Sequence, residues 1–384
     1  AQLSRGLGDV YKRQGRGVMP RTHLWNGFIV TPVRPVLLMA LMKCIRWCWH
    51  VTMLNRAMIT GNGADIGMTR LAEDCGPVLA WLQTRTGADR LECLRIEKLS
   101  GGAIQENWLL KLQITGGSHD GHQSWVLRTD AASAVAVSNS RSDEFRLLRA
   151  AFLQGVTVPE PLYFCSDNTV LGQPFFIMTA MPGQAQARKL VRSPGLAEQG
   201  PELVAQLGHI MAKLHSITPQ TKFKTKGLGS EELLFFLPRY EGSAASFQIA
   251  QMRAALDNLG TAHPVLEYSL NWLEDHLPIW ADPGAPVLCH RDFRTGNFLI
   301  KDGKCTALLD WEFAGWSDRH EDIGWLCARC WRFGNEKLPV GGLGTFSAFQ
   351  KAYEAASGQL LNVTAIGYWQ VIAEIRWAVI ALQQ

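Results

Sequence analysis

The sequence predicts an α+β protein of two unlike lobes, a small and mostly antiparallel sheet lobe followed by a mostly helical one. Three observations carry this. Between residues 94 and 183, five strand-like runs are separated by turn-forming stretches, with a single helical signature among them. After Pro182-Gly183 long helical patterns take over. Inside that helical half sits one strand pair, folded about Asp302-Gly303, a strong hairpin signal. The chain has 384 residues, room for one large or two ordinary domains, and 47% hydrophobic against 19% charged residues reads as globular.

The first 60 residues stand outside this pattern. They hold nine Lys and Arg against one acid, Asp9, a net of +8, so the rest of a +4 chain carries −4. The basic balance therefore gives no argument for nucleic-acid binding by the body. "AQLSRGLGDVYKRQ" resembles translated adapter sequence, and "MKCIRWCWHVTML" lacks an amphipathic period. We expect residues 1–60 to be a non-native or disordered leader, with translation starting at Met58 or Met68. The rival reading is a membrane anchor, but the apolar run Pro35 to Met42 is short and Lys43 and Arg46 interrupt it. A spanning helix needs about 20 apolar residues, so no membrane partner is expected. Nine cysteines with no regular spacing fit a reducing compartment, hence a cytoplasmic protein. Cys327 and Cys330 form a lone CxxC without the second pair a metal site needs.

The elements follow in order over an N-lobe at residues 69–183. "MTRLAEDCGPVLAWLQTRTG" reads as a helix with Leu71, Val78, Leu79 and Leu82 as its apolar positions. "LRIEKLSGGAIQENWLLKLQI" reads as strand, Gly turn and strand, and Trp125 to Thr129 as a third strand. "SDEFRLLRAAFLQG" is a helix that Ser142 or Asp143 can cap, with Phe145, Leu148 and Phe152 on one face and Gly155 at its end. "VPEPLYFCSD" and "QPFFIMTAMPG" complete a ββ-β-α-ββ order. The C-lobe, residues 184–384, contains "ELVAQLGHIMAKLHSI" and "HPVLEYSLNWLEDHL" as long helices. Its final segment, "GYWQVIAEIRWAVIALQQ", meets no stop signal. That predicts a C-terminally truncated lobe with Ile375, Val379 and Leu382 left as an exposed apolar surface.

One stretch carries chemistry. "LCHRDFRTGNFLI", residues 288–300, places His290, Arg291, Asp292, Gly296 and Asn297 in a loop between two apolar runs. "FLI" and "CTALLD" flank the Asp-Gly turn, so a hairpin there brings its open ends, Asn297 and Asp310, together. An amide and a carboxylate side by side can hold Mg²⁺ through oxygen. A second carboxylate, Asp292, can accept a proton from an attacking hydroxyl. Phosphoryl transfer from ATP needs this set, because metal clamping and positioning do most of its catalysis.

His290-Arg291-Asp292 and Asn297 match the kinase catalytic-loop pattern, and with "LLDWEFAGWSDRHEDIGWL" the sequence resembles the kinase-like phosphotransferase superfamily from about residue 69 to 384. It is most similar to the aminoglycoside phosphotransferase, or choline-kinase-like, branch, which also includes kinase-like domains fused to acyl-CoA dehydrogenases. The resemblance implies a bilobal protein-kinase-like fold, ATP and Mg²⁺ as cofactors, Asp292 as the catalytic base, Asn297 and Asp310 as metal ligands, and His290 and Arg291 as supports of the loop. It makes Asp322 a structural acid, read here as an N-cap for a helix beginning at Ile323. In the N-lobe, the loop with Ser100, Gly101 and Gly102, together with Asn107, would lie over phosphates. Arg128 and Glu144 would replace the Lys–Glu pair of protein kinases, and backbone groups from Thr179 to Met181 would meet adenine.

The partner implied is a small-molecule hydroxyl acceptor. Only "WEFAGWSDRHE" separates Asp310 from the next helix, which leaves little room for a peptide-docking loop. Aminoglycosides favour an acidic pocket; Glu274 and Asp275 are available, although a solvated helix face accounts for them. "LLFFLPRYEG", apolar and followed by Arg239, suits an apolar or anionic acceptor at least as well. A metabolite hydroxyl is favoured over an antibiotic, and an inactive nucleotide-binding protein is the alternative of another class.

Overall fold

A computed structural model describes residues 71, 74–99, 105–130, 139–225, 228–231, 233–277 and 286–383. The predicted leader and the loop residues Ser100, Gly101 and Gly102 lie outside the described residues.

The first lobe is built on five antiparallel strands: β1 (Arg90–Lys98), β2 (Gln105–Thr115), β3 (Gly121–Asp130), β4 (Pro161–Cys165) and β5 (Phe175–Thr179), in the order β1-β2-β3-β5-β4. One face is covered by α1 (Gly76–Thr86), whose Val78 and Leu82 join Leu110, Leu112, Trp125 and Phe175 in one core. The other face receives α2 (Arg141–Leu153). Ser140, not Ser142 or Asp143, caps α2, its hydroxyl accepting from the Asp143 amide. The buried stripe accordingly runs Glu144, Leu147, Leu148 and Ala151, the i, i+3, i+4, i+7 positions. Phe152 falls one place past the stripe and is 38% exposed. A short helix, α3 (Asn168–Leu171), joins β4 to β5.

The chain crosses between lobes at Gly183, whose φ of 133° favours glycine. A Cβ there would stand 3.0 Å from the Ile300 nitrogen. The close approach lets Gln184 exchange both backbone hydrogen bonds with Ile300, at 3.0 and 3.1 Å, which ties the crossing to the hairpin that carries Asn297. Next come α4 (Ala187–Leu190), the 20-residue α5 (Leu196–His215) and a short antiparallel pair, β6 (Phe223–Thr225) with β7 (Leu228–Glu231). Helices α6 (Ala244–Leu259) and α7 (Pro264–Asp275) follow.

The hairpin is present as predicted: β9 (Phe298–Lys301) pairs with β10 (Lys304–Leu308) about Asp302 (φ 50°) and Gly303 (φ 73°), the two positive φ values of a type I′ turn. A second pair, β8 (Val287–Cys289) with β11 (Gly315–Ser317), closes the loop region from below. Helices α8 (Arg319–Cys327), α9 (Phe346–Ser357) and α10 (Val363–Gln383) complete the lobe. Gly208 lets α5 and α9 meet closely, since a Cβ there would be 2.7 Å from the Phe349 carbonyl.

The expected apolar surface on the last helix is corrected. Ile375 is 0% and Val379 3% exposed, and Leu382 is partly buried. They pack with Ile249, Met252 and Leu256 of α6 and Leu270 and Leu273 of α7 in a second core. The sequence pattern had shown α7 but not α6, so the helix lacked its partner on paper. Burying each such side chain stabilises by about 1.5–3 kcal/mol. By length and composition α10 is apolar enough to cross a bilayer, yet most of that stretch is buried in the protein.

Candidate active site

The hairpin sets the geometry. The Leu309 amide donates to the Asn297 carbonyl at 2.8 Å, so Asn297 and Asp310 emerge side by side. Two non-glycine residues here hold left-handed backbone, Arg291 (φ 62°) and Asp310 (φ 65°). Such conformations cost about 1–3 kcal/mol each and persist only where the surroundings over-determine them. At Arg291 the surroundings are visible. The Asp322 carboxylate accepts from the His290 and Arg291 amides, both at 2.7 Å, and Arg376 Nη1 donates to the Arg291 carbonyl at 2.9 Å.

Asp322 is therefore not an N-cap. Asp318 caps α8 by accepting from the His320 amide at 2.8 Å. Asp322 sits one turn in, fully buried, and holds the loop, with His215 Nε2 3.2 Å from its other face and Tyr353 behind His215 at 2.9 Å. Burial alone would raise the Asp322 carboxyl, but the hydrogen bonds from His215 and from the His290 amide hold it below the usual range. The group His215, Cys289 and Asp322 has metal-ligand composition. Its acceptors and donors are already spent on this network.

His290, expected to support the loop and counted among the candidate catalytic-loop residues, is wholly buried, its ring edge-on to Trp311 at 4.9 Å. Burial pushes its imidazole down, which keeps it neutral.

Asp292 is 8% exposed and unevenly hydrogen-bonded. Its Oδ1 accepts from Arg294 Nε and Trp325 Nε1, both at 2.9 Å. Its Oδ2 accepts from Asn297 Nδ2 at 2.6 Å. Oδ2 thus keeps room for one more donor, such as a hydroxyl. Asn297 Nδ2 also donates to the Asp292 carbonyl at 3.0 Å. With the amide nitrogen fixed on oxygens of Asp292, the Asn297 Oδ1 is turned away from that residue, an oxygen of the kind a hard cation takes.

Asp310 completes the set, its side chain 33% exposed. The Arg128 Nη2 lies 2.8 Å from Asp310 Oδ1 and 2.7 Å from Glu144 Oε1, and Nη1 lies 3.3 Å from Asn107 Oδ1. Burial disfavours the Arg128 charge, but Glu144 and Asp310 more than restore it. Glu144 is also paired with Arg141. One chain of contacts across the junction of the lobes thus links Asn107, Arg128, Glu144 and Asp310 to Asn297 and Asp292. Thr179 and Met181 lie at the end of β5, on the way to Gln184. The Thr179 and Ala180 amides are already donated, to Glu160 at 3.0 Å and Ser124 at 2.9 Å.

Sequence reasoning missed three residues. Glu312 accepts from Gln105 Nε2 at 2.8 Å, and burial, then the charge of Asp310, raises its carboxyl to about 7. Its signal was present, as the second acid of "DWE". Arg294 also had a signal, a cation two places after Asp292. Trp325 had none, because its reach to Asp292 depends on how α8 packs. Elsewhere, Glu274 pairs with Arg253 on an exposed face, and Leu233, Leu234 and Leu237 of "LLFFLPRYEG" turn into the core.

An antiparallel sheet lobe over a helical lobe, with two carboxylates and an amide on a loop and hairpin at their junction, is the kinase-like fold of small-molecule phosphotransferases. Residues 95–358 match the model of the phosphotransferase enzyme family, and the chain belongs to that family. It is 28% identical over 247 residues to acyl-CoA dehydrogenase family member 11 of Homo sapiens, covering 60% of this chain and 30% of that one. It is 29% identical over 188 residues to family member 10 of Mus musculus, covering 48% and 16%. The chain spans less than a third of either relative. Among solved structures, a Ralstonia eutropha protein assigned as an aminoglycoside phosphotransferase shares the fold with a TM-score of 0.60 at 20% identity, over 80% of this chain and 89% of that one. The GDP complex of aminoglycoside 2′-phosphotransferase-IIIa shares it at 0.50 and 16% identity, over 79% and 89%.

Proposed function

We propose that this protein transfers the γ-phosphoryl group of ATP, with Mg²⁺, to a hydroxyl of a small metabolite, a hydroxy acid or an acyl derivative. The observation that carries this is the convergence of Asp292, Asn297 and Asp310 at one cleft with Arg128 above them. The residues fit a divalent ion: the Asn297 Oδ1 is turned away from Asp292, and Asp310 keeps a partly exposed carboxylate. Held there, Mg²⁺ would offset the charge of the transferring phosphates. Asp292 Oδ2 takes the proton of the attacking hydroxyl while Arg294 and Trp325 hold Oδ1 still. Arg128, anchored by Glu144, faces the phosphates. With the Thr179 and Ala180 amides already donated, adenine would be met by Met181 and the carbonyls of this segment.

The surroundings of Asp292 support an acceptor that is not a polycation. Arg294 is bonded to the base itself, and Arg376 stacks on Trp325 at 4.6 Å and pairs with Glu321 at 3.6 Å. A polyamine antibiotic would bring like charge to Arg294. The relatives named as acyl-CoA dehydrogenases support an acyl derivative in the same direction. The acceptor would be met in the cytoplasm, with no nucleic acid or membrane involved.

The test is ADP release from Mg-ATP, with GTP in parallel, over hydroxy acids, hydroxyacyl thioesters, aminoglycosides and macrolides. Stimulation by the first two classes is expected. Stimulation by antibiotics alone would overturn the acceptor, and nucleotide binding without turnover of any class would make this an inactive nucleotide-binding protein.

A further inference from the structure

Beside the crossing between the lobes lies a concavity of about 610 Å³, within the range of about 300–1,000 Å³ that small-molecule sites occupy. Arg188 and Lys189 of α4 and Arg192 just past it line one side. Gln184, Gln199 and Ser193 add two amides and a hydroxyl, and the hairpin turn, Asp302 with Gly303, forms the other side. Three cations against one acid, Asp302, leave the lining at a net +2.

This is more than a solvated face. Arg188 and Arg192 stand four residues apart, the spacing at which like charges on a helix repel each other, and Lys189 adds a third. Among the described residues, Lys189 and Arg192 have no ion pair or side-chain hydrogen bond, and neither do the side-chain amides of Gln184 and Gln199. The bare turn draws Gln199 in, since a Cβ at Gly303 would stand 2.8 Å from its Oε1. Donors of four kinds, guanidinium, ammonium, amide and hydroxyl, thus surround one cavity from two elements and the turn between two strands. A planar carboxylate offers two oxygens to such a set, whereas a phosphate group offers three in a tetrahedral array.

The cavity is separate from the cleft. Five residues of strand lead from Asn297 to Asp302, about 16 Å at about 3.3 Å per residue. A small hydroxy acid held at Asp292 does not span that distance.

We propose that this cavity is a second anion site, which binds a small molecule through its phosphate groups. The site stands apart from the phosphotransferase reading and survives its failure. Gln184 and Ile300, whose backbones tie the crossing to the hairpin, both line it, so the occupant rests against the joint of the two lobes.

The experiment is calorimetric titration of the full chain with pyrophosphate in metal-free buffer. Omitting the metal removes the charge that would draw pyrophosphate to Asn297 and Asp310. Wild type should bind, and Lys189→Gln with Arg192→Gln should bind at least about tenfold more weakly, each single exchange giving part of the loss. Both side chains are exposed, so the melting temperature should hold. Lys337→Gln with Lys351→Gln removes as much charge from exposed positions elsewhere and should bind as wild type does. The cations of the first 60 residues are the same in every variant, so binding that they alone provide would show no difference. Citrate, a polyanion of carboxylates only, should bind several-fold more weakly than pyrophosphate. Failure of wild type to bind at millimolar pyrophosphate, unchanged binding in Lys189→Gln with Arg192→Gln, or an equal loss in Lys337→Gln with Lys351→Gln would each overturn the site. Citrate binding as tightly as pyrophosphate would overturn its assignment to phosphate.

Discussion

The two halves of the cleft are assembled in different ways. The base side is local: His290 to Asn297 form one loop, and Asn297 reaches Asp292 across five residues. The phosphate side is long-range: Arg128 meets Asp310 across 182 residues and Gln105 meets Glu312 across 207. On the base side the chain can be nearly right before the lobes meet. On the phosphate side the Arg128–Glu144 pair forms within the first lobe, and its contact with Asp310 waits until the lobes meet.

The largest expected effect separates the halves directly. Asp292→Asn should lower kcat by roughly 10²–10⁴-fold, as for a lost general base, while Mg-ATP binding stays nearly intact. Asp310→Asn should weaken Mg²⁺-dependent ATP binding as well as turnover. Calorimetric titration of ATP with and without Mg²⁺, alongside ADP release, distinguishes them. Equal loss of nucleotide binding in both variants would show that the halves do not divide the work.

Next in size is the anchor beneath the base side. Asp322→Asn replaces the carboxylate that accepts from the His290 and Arg291 amides and leaves at most one acceptor oxygen for them and His215. Each charged hydrogen bond weakened this way is worth about 1.5–3 kcal/mol, so the urea midpoint should fall clearly. The sign with pH follows from the depressed Asp322 carboxyl. Its folded value lies below the unfolded value of about 3.9. The stabilisation is thus present above that pH and lost as pH falls through the folded value. The gap in stability between wild type and Asp322→Asn should narrow on acidification below about pH 4; a gap independent of pH would deny Asp322 its charge.

The same difference in contact range decides what the sequence made legible. The five strands, α2, the Asp-Gly hairpin and the meeting of Asn297 with Asp310 all follow from patterns a few residues long. Asp322 was visible as an acid, but its partners, His215 and the loop amides, come from segments 31 to 107 residues away, so its role as an anchor was not. Ile375 and Val379 looked exposed because α6 has a weak apolar pattern and was not available as a partner. The pairing of Arg128 with Glu144 was foreseen only through resemblance, and its bond to Asp310 was not foreseen at all, since no local pattern encodes a contact between lobes.

The smallest effect tests whether even the local half is wholly local. Trp325 donates its indole N–H to Asp292 Oδ1 from α8, 33 residues away, and Arg376 of α10 stacks on the same ring. Phenylalanine at 325 would keep much of the ring packing and remove the donor. Arg294 would still hold Oδ1, so Asp292 should remain in place but less firmly. The loss of one hydrogen bond to a charged group that stays otherwise bonded corresponds to about 1 kcal/mol, or roughly fivefold in kcat. Because Trp325 touches neither Asn297 nor Asp310, the ATP KM should not move. Trp325→His, which can restore a ring N–H, should recover part of the loss if the donor is what matters. Should kcat in Trp325→Phe match wild type, Oδ1 is held well enough by Arg294 alone and the base side is as local as its sequence. A rise in ATP KM would instead mean that α8 steadies both halves, and the division between a local base side and a long-range phosphate side would have to be redrawn.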